Sequence, residues 1–229
     1  MGIFKQMRTD LKKPVRNYKA FLFDLNGTMI DDMQYHINAW FRILNELGAN
    51  ISREKTKGEC YGKNNELLER IFPGRFAEEE KDRISFEKEK QYQEEFRPNL
   101  KLIDGLNDFL KLAQKAVIKM AIGSAAIMFN IDFVLDGLQI RQYFDVLVSA
   151  DDVMNSKPDP ETYIKCATKL GLAAKDCLVF EDAPKGAESS ANAGMDCVII
   201  TTLHNAEEFD NYDNVISFIE DYNNFALHK

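Results

Sequence analysis

Cysteine is scarce in this sequence and histidine scarcer: four of one (Cys60, Cys166, Cys177 and Cys197) and three of the other in 229 residues. No two cysteines form a CxxC pair, and none lies at metal-ligand spacing from a histidine. That excludes a zinc site or a redox dithiol and leaves reduced, mostly buried thiols. No apolar run approaches the ~18 residues of a membrane-spanning helix. The first twenty residues carry basic side chains but lack the apolar core of ~7–15 residues that a secretory signal needs. Residues 1–17 are therefore expected to form an N-terminal extension on the surface, and the expected compartment is the cytoplasm. Positive charge is also short. Twenty-nine Lys and Arg face 37 Asp and Glu, a net charge of -8, which argues against nucleic acid or an anionic membrane as partner. Internal repeats and low-complexity tracts are absent.

What the chain does have is a series of short apolar runs: Ala20–Phe23, Val117–Ile122, Val146–Val148, Cys177–Phe180 and Cys197–Thr201. Runs of this length, rich in β-branched and aromatic residues, suit strands buried on both faces. Helix-like stretches separate all but the first two, a pattern that implies βαβ units and a parallel sheet. One such helix follows Asp159-Pro160, with Tyr163, Ile164, Ala167 and Leu170 on one face and Gly171 at its end. Residues 31–100 show no strand. Ile37, Trp40, Phe41, Leu44 and Leu47 share a helical face, and Glu78–Glu95 reads as a charged helix with a solvated face, anchored by Ile84, Tyr92 and Phe96. The expected organisation is a core from 18–30 and 101–229, interrupted by a helical insert over 31–100.

Four chemical signals fall at or just beyond the carboxyl ends of predicted strands, the edge where open parallel sheets bind ligands. Asp24-Leu25-Asn26-Gly27-Thr28 follows the first strand and exposes a carboxylate beside a glycine-permitted turn, which suits an oxygen nucleophile. Gly123-Ser124 offers a hydroxyl and backbone amides to an anion. Lys157-Pro158 brings an ammonium that can neutralise a carboxylate or a phosphoryl group. Glu181-Asp182 sets two adjacent carboxylates at a strand end, which repel unless a cation sits there; a small set of oxygen ligands suits Mg²⁺. Singly, each also reads as an ordinary turn or surface feature.

Their order and company resemble the haloacid dehalogenase-like superfamily, over about residues 18–200. The first motif followed by Tyr35-His36-Ile37-Asn38-Ala39-Trp40, and Lys157-Pro158-Asp159-Pro160 followed by Glu181-Asp182, is similar to its β-phosphoglucomutase-like members. The resemblance implies an α/β fold, a Rossmann-like parallel sheet core with an inserted α-helical cap domain, acting as a phosphatase or phosphomutase on a small phosphorylated metabolite, as a monomer. It implies Asp24 as nucleophile, with Ser124 and Lys157 on the phosphoryl group. Asp24, Asp182 and the Asn26 carbonyl would hold Mg²⁺, supported by Glu181. Thr28, His36, Gly62, Asn65 and Gly123 join the expected substrate-binding set, with His36 at the cap hinge. No basic residue stands at Asn65, where the sugar mutases carry one. Carbon–halogen hydrolysis on the same fold is disfavoured, because it needs no metal and leaves Glu181-Asp182 without a use.

The departure is at Asn26. Phosphatases and mutases of this family carry aspartate there as general acid and base, a role worth ~10²–10⁴-fold. An amide cannot transfer that proton, although its main-chain carbonyl can still face a metal. The alternatives to a working phosphotransferase are an impaired binder of a phosphorylated ligand and a variant that traps its substrate. On this reading Asn26→Asp raises turnover of a sugar phosphate by the full worth of the missing acid.

Overall fold

A computed structural model describes residues 18–223 and 225; the expected N-terminal extension, 1–17, lies outside the described residues. Six strands form one sheet: β1 Ala20–Phe23, β2 Lys119–Gly123, β3 Val146–Val148, β4 Cys177–Glu181, β5 Asp196–Ile200 and β6 Val215–Ile219. Their spatial order is β3-β2-β1-β4-β5-β6, and every pairing is parallel. All carboxyl ends therefore lie on one edge, and β1 occupies the middle of the sheet.

Alternation along β1 divides the core in two. Phe21 and Phe23 face a cluster with Phe109, Leu110, Ile131, Leu135 and Phe180. Ala20 and Leu22 face the other side, with Tyr163, Cys166, Leu170 and Ala187. Helices cover both faces: α5 Leu106–Lys115 and α6 Met128–Gly137 on the first, α7 Glu161–Leu170 and α8 Pro184–Asn192 on the second. Continuous burial of β1 and β4 explains their unbroken apolar runs.

The second strand starts at Lys119, not Val117: Val117 sits at φ 60 and is 87% exposed, closing the end of α5 through its N–H to the Gln114 carbonyl. The sixth strand was not foreseen. Ser217 interrupts its apolar run and polar Asn214 and Glu220 flank it, so edge pairing to β5 supplies what pattern did not.

Between β1 and β2 the chain runs through four helices, α1 Met33–Glu46, α2 Arg53–Glu59, α3 Asn64–Ile71 and α4 Glu78–Phe96. They enclose a cluster of their own around Trp40, Leu44, Leu67, Leu68 and Phe72. The expected solvated face of α4 is half wrong. Lys81, Ser85, Lys88, Glu89 and Gln93 are buried beside Tyr92 and Phe96, because polar residues at helical spacing form an inward stripe that hydrophobicity alone cannot register. Asp32 begins α1 but its side chain makes no capping hydrogen bond to that helix, forgoing a cap worth ~1 kcal/mol.

Candidate active site

Asp24 is the first residue beyond β1, and its N–H donates to the Phe180 carbonyl at 2.9 Å, continuing the ladder to β4. The same step beyond β4 gives Asp182. Gly27 turns the chain between them at φ 72, where a Cβ would fall 2.1 Å from Asp182 Oδ2; both the sign of φ and the approach demand glycine. One oxygen each from Asp24, Glu181 and Asp182 lie within 4.8 Å of one another, all buried.

Lys157 joins this group from the loop before α7. Its Nζ donates to Asp24 Oδ1 at 2.6 Å and to Glu181 Oε1 at 2.5 Å. Tyr163 OH donates to the same Glu181 oxygen at 2.6 Å, and the N–H groups of Asp182 and Ala183 donate to Oε2 at 3.0 and 3.3 Å. Glu181 is thus already saturated by four donors. Its fitness as a direct metal ligand is low, and its observed work is to hold Lys157 against Asp24.

Burial pushes the Asp24 carboxyl up to about 7. Lys157 opposes this, and Glu181 and Asp32 add to it. Burial likewise drives Asp182 well above the usual carboxylate range, aided by Glu181 and Asp24. Burial disfavours the Lys157 ammonium, but Asp24 and Glu181 more than offset that and raise it. When all three buried carboxyls are ionised, one ammonium leaves two negative charges uncompensated. A divalent cation with hard oxygen preference matches both that deficit and the donor set.

Above these groups lies a cavity of about 530 Å³, walled by the sheet edge on one side and the helical insert on the other. Asp24, Asn26, Ser124, Lys157, Glu181 and Asp182 line its floor; His36, Trp40, Gly62, Asn64, Lys88 and Glu89 line its roof, and Asn130 of α6 joins the lining. Ser124 is anchored by its N–H to the Val148 carbonyl at 3.0 Å, and its Oγ accepts from Ala126 N at 3.1 Å.

Three expected substrate contacts stand elsewhere among the described residues. Thr28 is fully buried with its hydroxyl given to Asp182 Oδ1 at 3.4 Å. Gly123 packs against Cys166, Thr162 and Tyr163. Asn65 turns away from the cavity, bonded to Asp82 at 2.6 Å and Ser85 at 2.8 Å, and its neighbour Asn64 faces inward instead. Spacing alone places a loop residue to within about one position, and the helix phase of α3 decides which of the pair points in.

The roof holds a polar network that the sequence reading missed. Lys88 Nζ meets His36 Nδ1 at 2.6 Å and Glu89 Oε1 at 3.0 Å. Glu89 accepts from Asn64 and Asn130, both at 2.6 Å, and Gln93 reaches Asn130 Oδ1 at 2.8 Å. Tyr92 stacks on His36 with centroids 3.8 Å apart. Elsewhere the insert touches the core where Lys63 Nζ donates to the Val153 carbonyl at 2.5 Å and Ser156 bonds Glu66.

The family model for haloacid dehalogenase-like hydrolases matches residues 21–200. The validoxylamine A 7'-phosphate phosphatase of Streptomyces hygroscopicus subsp. limoneus is 30% identical over 83% of this chain and 89% of its own. The fructose-1-phosphate phosphatase of Escherichia coli is 27% identical over 81% of this chain and 98% of its own. The crystal structure of β-phosphoglucomutase from Clostridium difficile superposes with a TM-score of 0.79 at 27% identity, covering 91% of this chain and 93% of that one. With the sheet order, the helical insert and the matched span together, the chain belongs to the haloacid dehalogenase-like hydrolase family, on its β-phosphoglucomutase-like branch, and is an enzyme.

Proposed function

We propose that this enzyme removes the phosphoryl group from a small phosphorylated sugar or polyol, with Asp24 as nucleophile and Mg²⁺ as cofactor. The observation that carries the reading is Asp24 held by Lys157 beside Asp182, at the floor of a cavity whose roof carries an amide, an imidazole, a lysine paired with a carboxylate, and an aromatic face. Hydroxyl groups of a sugar fit such a roof. The named substrates of the Streptomyces and Escherichia relatives are phosphorylated compounds of this kind. Hydrolysis is favoured over mutase chemistry by Lys88, the buried lysine of the roof, whose charge is already met by Glu89. No basic residue stands at Asn65, and the other lysine of the insert in the cavity lining, Lys57, is solvent-exposed.

Asp24 would attack phosphorus, forming an O–P bond as the bond to the sugar oxygen breaks, and water would then release inorganic phosphate. Lys157 neutralises charge on the transferring group, and Ser124 stands ready to donate its hydroxyl. Donors so placed are worth ~10²–10³-fold each. Asp24, Asp182 and the main-chain carbonyl of Asn26 would hold Mg²⁺, which when bound supplies the missing positive charge beside the phosphoryl oxygens. The helical insert would act as a cap over residues 31–100, excluding water when it closes.

Phosphate release from fructose 1-phosphate and from acetyl phosphate tests the reading, in Mg²⁺ and in excess chelator. Turnover should require the metal and vanish in Asp24→Ala, while a thermal melt shows that variant folded. Binding of inorganic phosphate without turnover of either ester would favour a phospho-ligand binder instead.

A further inference from the structure

Asp32 is wholly buried at the start of α1, yet its carboxylate caps none of that helix's free N–H groups. It faces the first loop instead. Oδ2 accepts from Asn26 Nδ2 at 2.6 Å, and Oδ1 accepts from the Gly27 N–H at 3.2 Å. Tyr92 OH, from α4 of the insert, also donates to Oδ2, and His36 Nε2 lies 3.3 Å from the same oxygen. An ionised carboxylate can only accept, so the branch of Asn26 that meets it must be the NH₂ group. The amide is thereby fixed in one orientation, with Oδ1 on the branch away from Asp32 in a side chain that lines the cavity.

We propose that Asp32 is a positioning residue that makes asparagine the fitting residue at position 26. Held this way, Oδ1 of Asn26 accepts an O–H from the water that attacks phosphorylated Asp24 and aligns it without taking the proton. An amide that orients water is a known device in phosphoryl transfer. In that step the water oxygen bonds phosphorus and the bond from phosphorus to the Asp24 oxygen breaks. Asp24 leaves as a carboxylate, and both protons depart on inorganic phosphate. Aspartate at position 26 would instead set two carboxylates at the 2.6 Å now spanned by a hydrogen bond, which repel. The expectation that Asn26→Asp alone repairs the site is therefore replaced by a paired requirement: the acid returns only if position 32 supplies the amide.

The inference borrows the phosphatase reading for its kinetics, but its geometry can be tested without turnover. The set is wild type, Asn26→Asp, Asp32→Asn and the exchanged pair N26D/D32N. Metal-free thermal unfolding at pH 8 should fall by about 3–8 °C in Asn26→Asp, a scale set by ~2–4 °C per kcal/mol for a chain of this size. The exchanged pair should recover to within about 2 °C of wild type. With acetyl phosphate and Mg²⁺, the exchanged pair should exceed each single variant at least ~10-fold in kcat, with KM within about threefold. A purely structural role for Asp32 would move melting without this kcat rescue and would overturn the proposal. So would an Asn26→Asp variant that melts like wild type and gains ~10²–10⁴-fold alone. No turnover in any variant, wild type included, would count against the phosphatase reading; the melting cycle would then test the contact between positions 26 and 32 alone, and an exchanged pair that failed to recover would overturn the proposal.

Discussion

At the scale of single residues, Glu89 shows how a buried charge is retained. Burial works against its carboxylate, but Lys88, His36, Asn64 and Asn130 outweigh that and hold it down to about 2 from an ordinary 4.5. Its stabilisation is present in full above the unfolded value and is lost as pH falls from about 4.5 toward 2, because the unfolded chain takes up the proton first. The shift corresponds to about 3 kcal/mol at most. Glu89→Gln should thus lower stability to urea at neutral pH by a few kcal/mol, with the gap to wild type closing between pH 5 and 2. Parallel curves for the two proteins across that range would count against this account. Asp24 and Asp182 were legible in the sequence because strand-end position and charge announce them, and Lys157 because it stands just ahead of the helix that Asp159-Pro160 opens. Asp32, Lys88 and Glu89 were not: Lys88 meets His36 across 52 positions and Tyr92 meets Asp32 across 60, Glu89 meets Asn64 and Asn130 across 25 and 41, and Asp32 begins a helix without capping it.

At the scale of elements, the contact between β4 and α8 sets the tightest constraint. Gly186 lies in α8 with its backbone against Glu181, and a Cβ there would fall 1.9 Å from the Glu181 carboxyl carbon. Gly186→Ala must displace Glu181 or tilt α8, and either loosens Lys157 from Asp24. Overpacking of this kind costs about 1–3 kcal/mol. The expected outcome is a lower melting temperature together with a fall in kcat of ~10-fold or more. A melting change with kcat preserved would show that Glu181 does not govern Lys157. Strand interiors were the most readable elements: β1 runs over the residues expected because burial on both faces leaves an unbroken apolar run, and β3 does so from its β-branched residues although it is an edge strand with Val146 and Leu147 only half-buried. The start of β2 was less so, since Val117 carries a strand-favouring side chain but serves as the left-handed end of α5.

At the scale of the whole molecule, several polar ties join the insert to the core: Gln93 and Glu89 to Asn130, Glu66 to Ser156, and Lys63 to the carbonyls of Val153 and Met154 at 2.5 and 3.3 Å. If the insert closes on the site as a cap, Lys63 favours the closed arrangement without touching the chemistry. Charge-assisted hydrogen bonds contribute about 1.5–3 kcal/mol, so Lys63→Ala should raise KM by ~10-fold and leave kcat within about threefold. Steady-state kinetics on a sugar phosphate checks this, and a fall in kcat with KM unchanged would place Lys63 in the chemistry instead. The helical character of 31–100 was legible from its missing strands. Its inward polar stripe was not, because hydrophobic periodicity records only the apolar part of a face.

The four thiols carry one further consequence. Cys166, Cys177 and Cys197 are buried in the core, and Cys60 is half-buried in the cavity wall. Burial pushes Cys60 and Cys166 up to about 12, Cys177 to about 11, and Cys197 higher still. Since the thiolate is the reactive form, all four should stay silent toward maleimides near neutral pH. Two cysteines introduced on the surface, one on α3 and one on the loop after β3, could then carry a fluorescent donor and acceptor on the otherwise natural chain, and the opening of the cavity could be watched one molecule at a time.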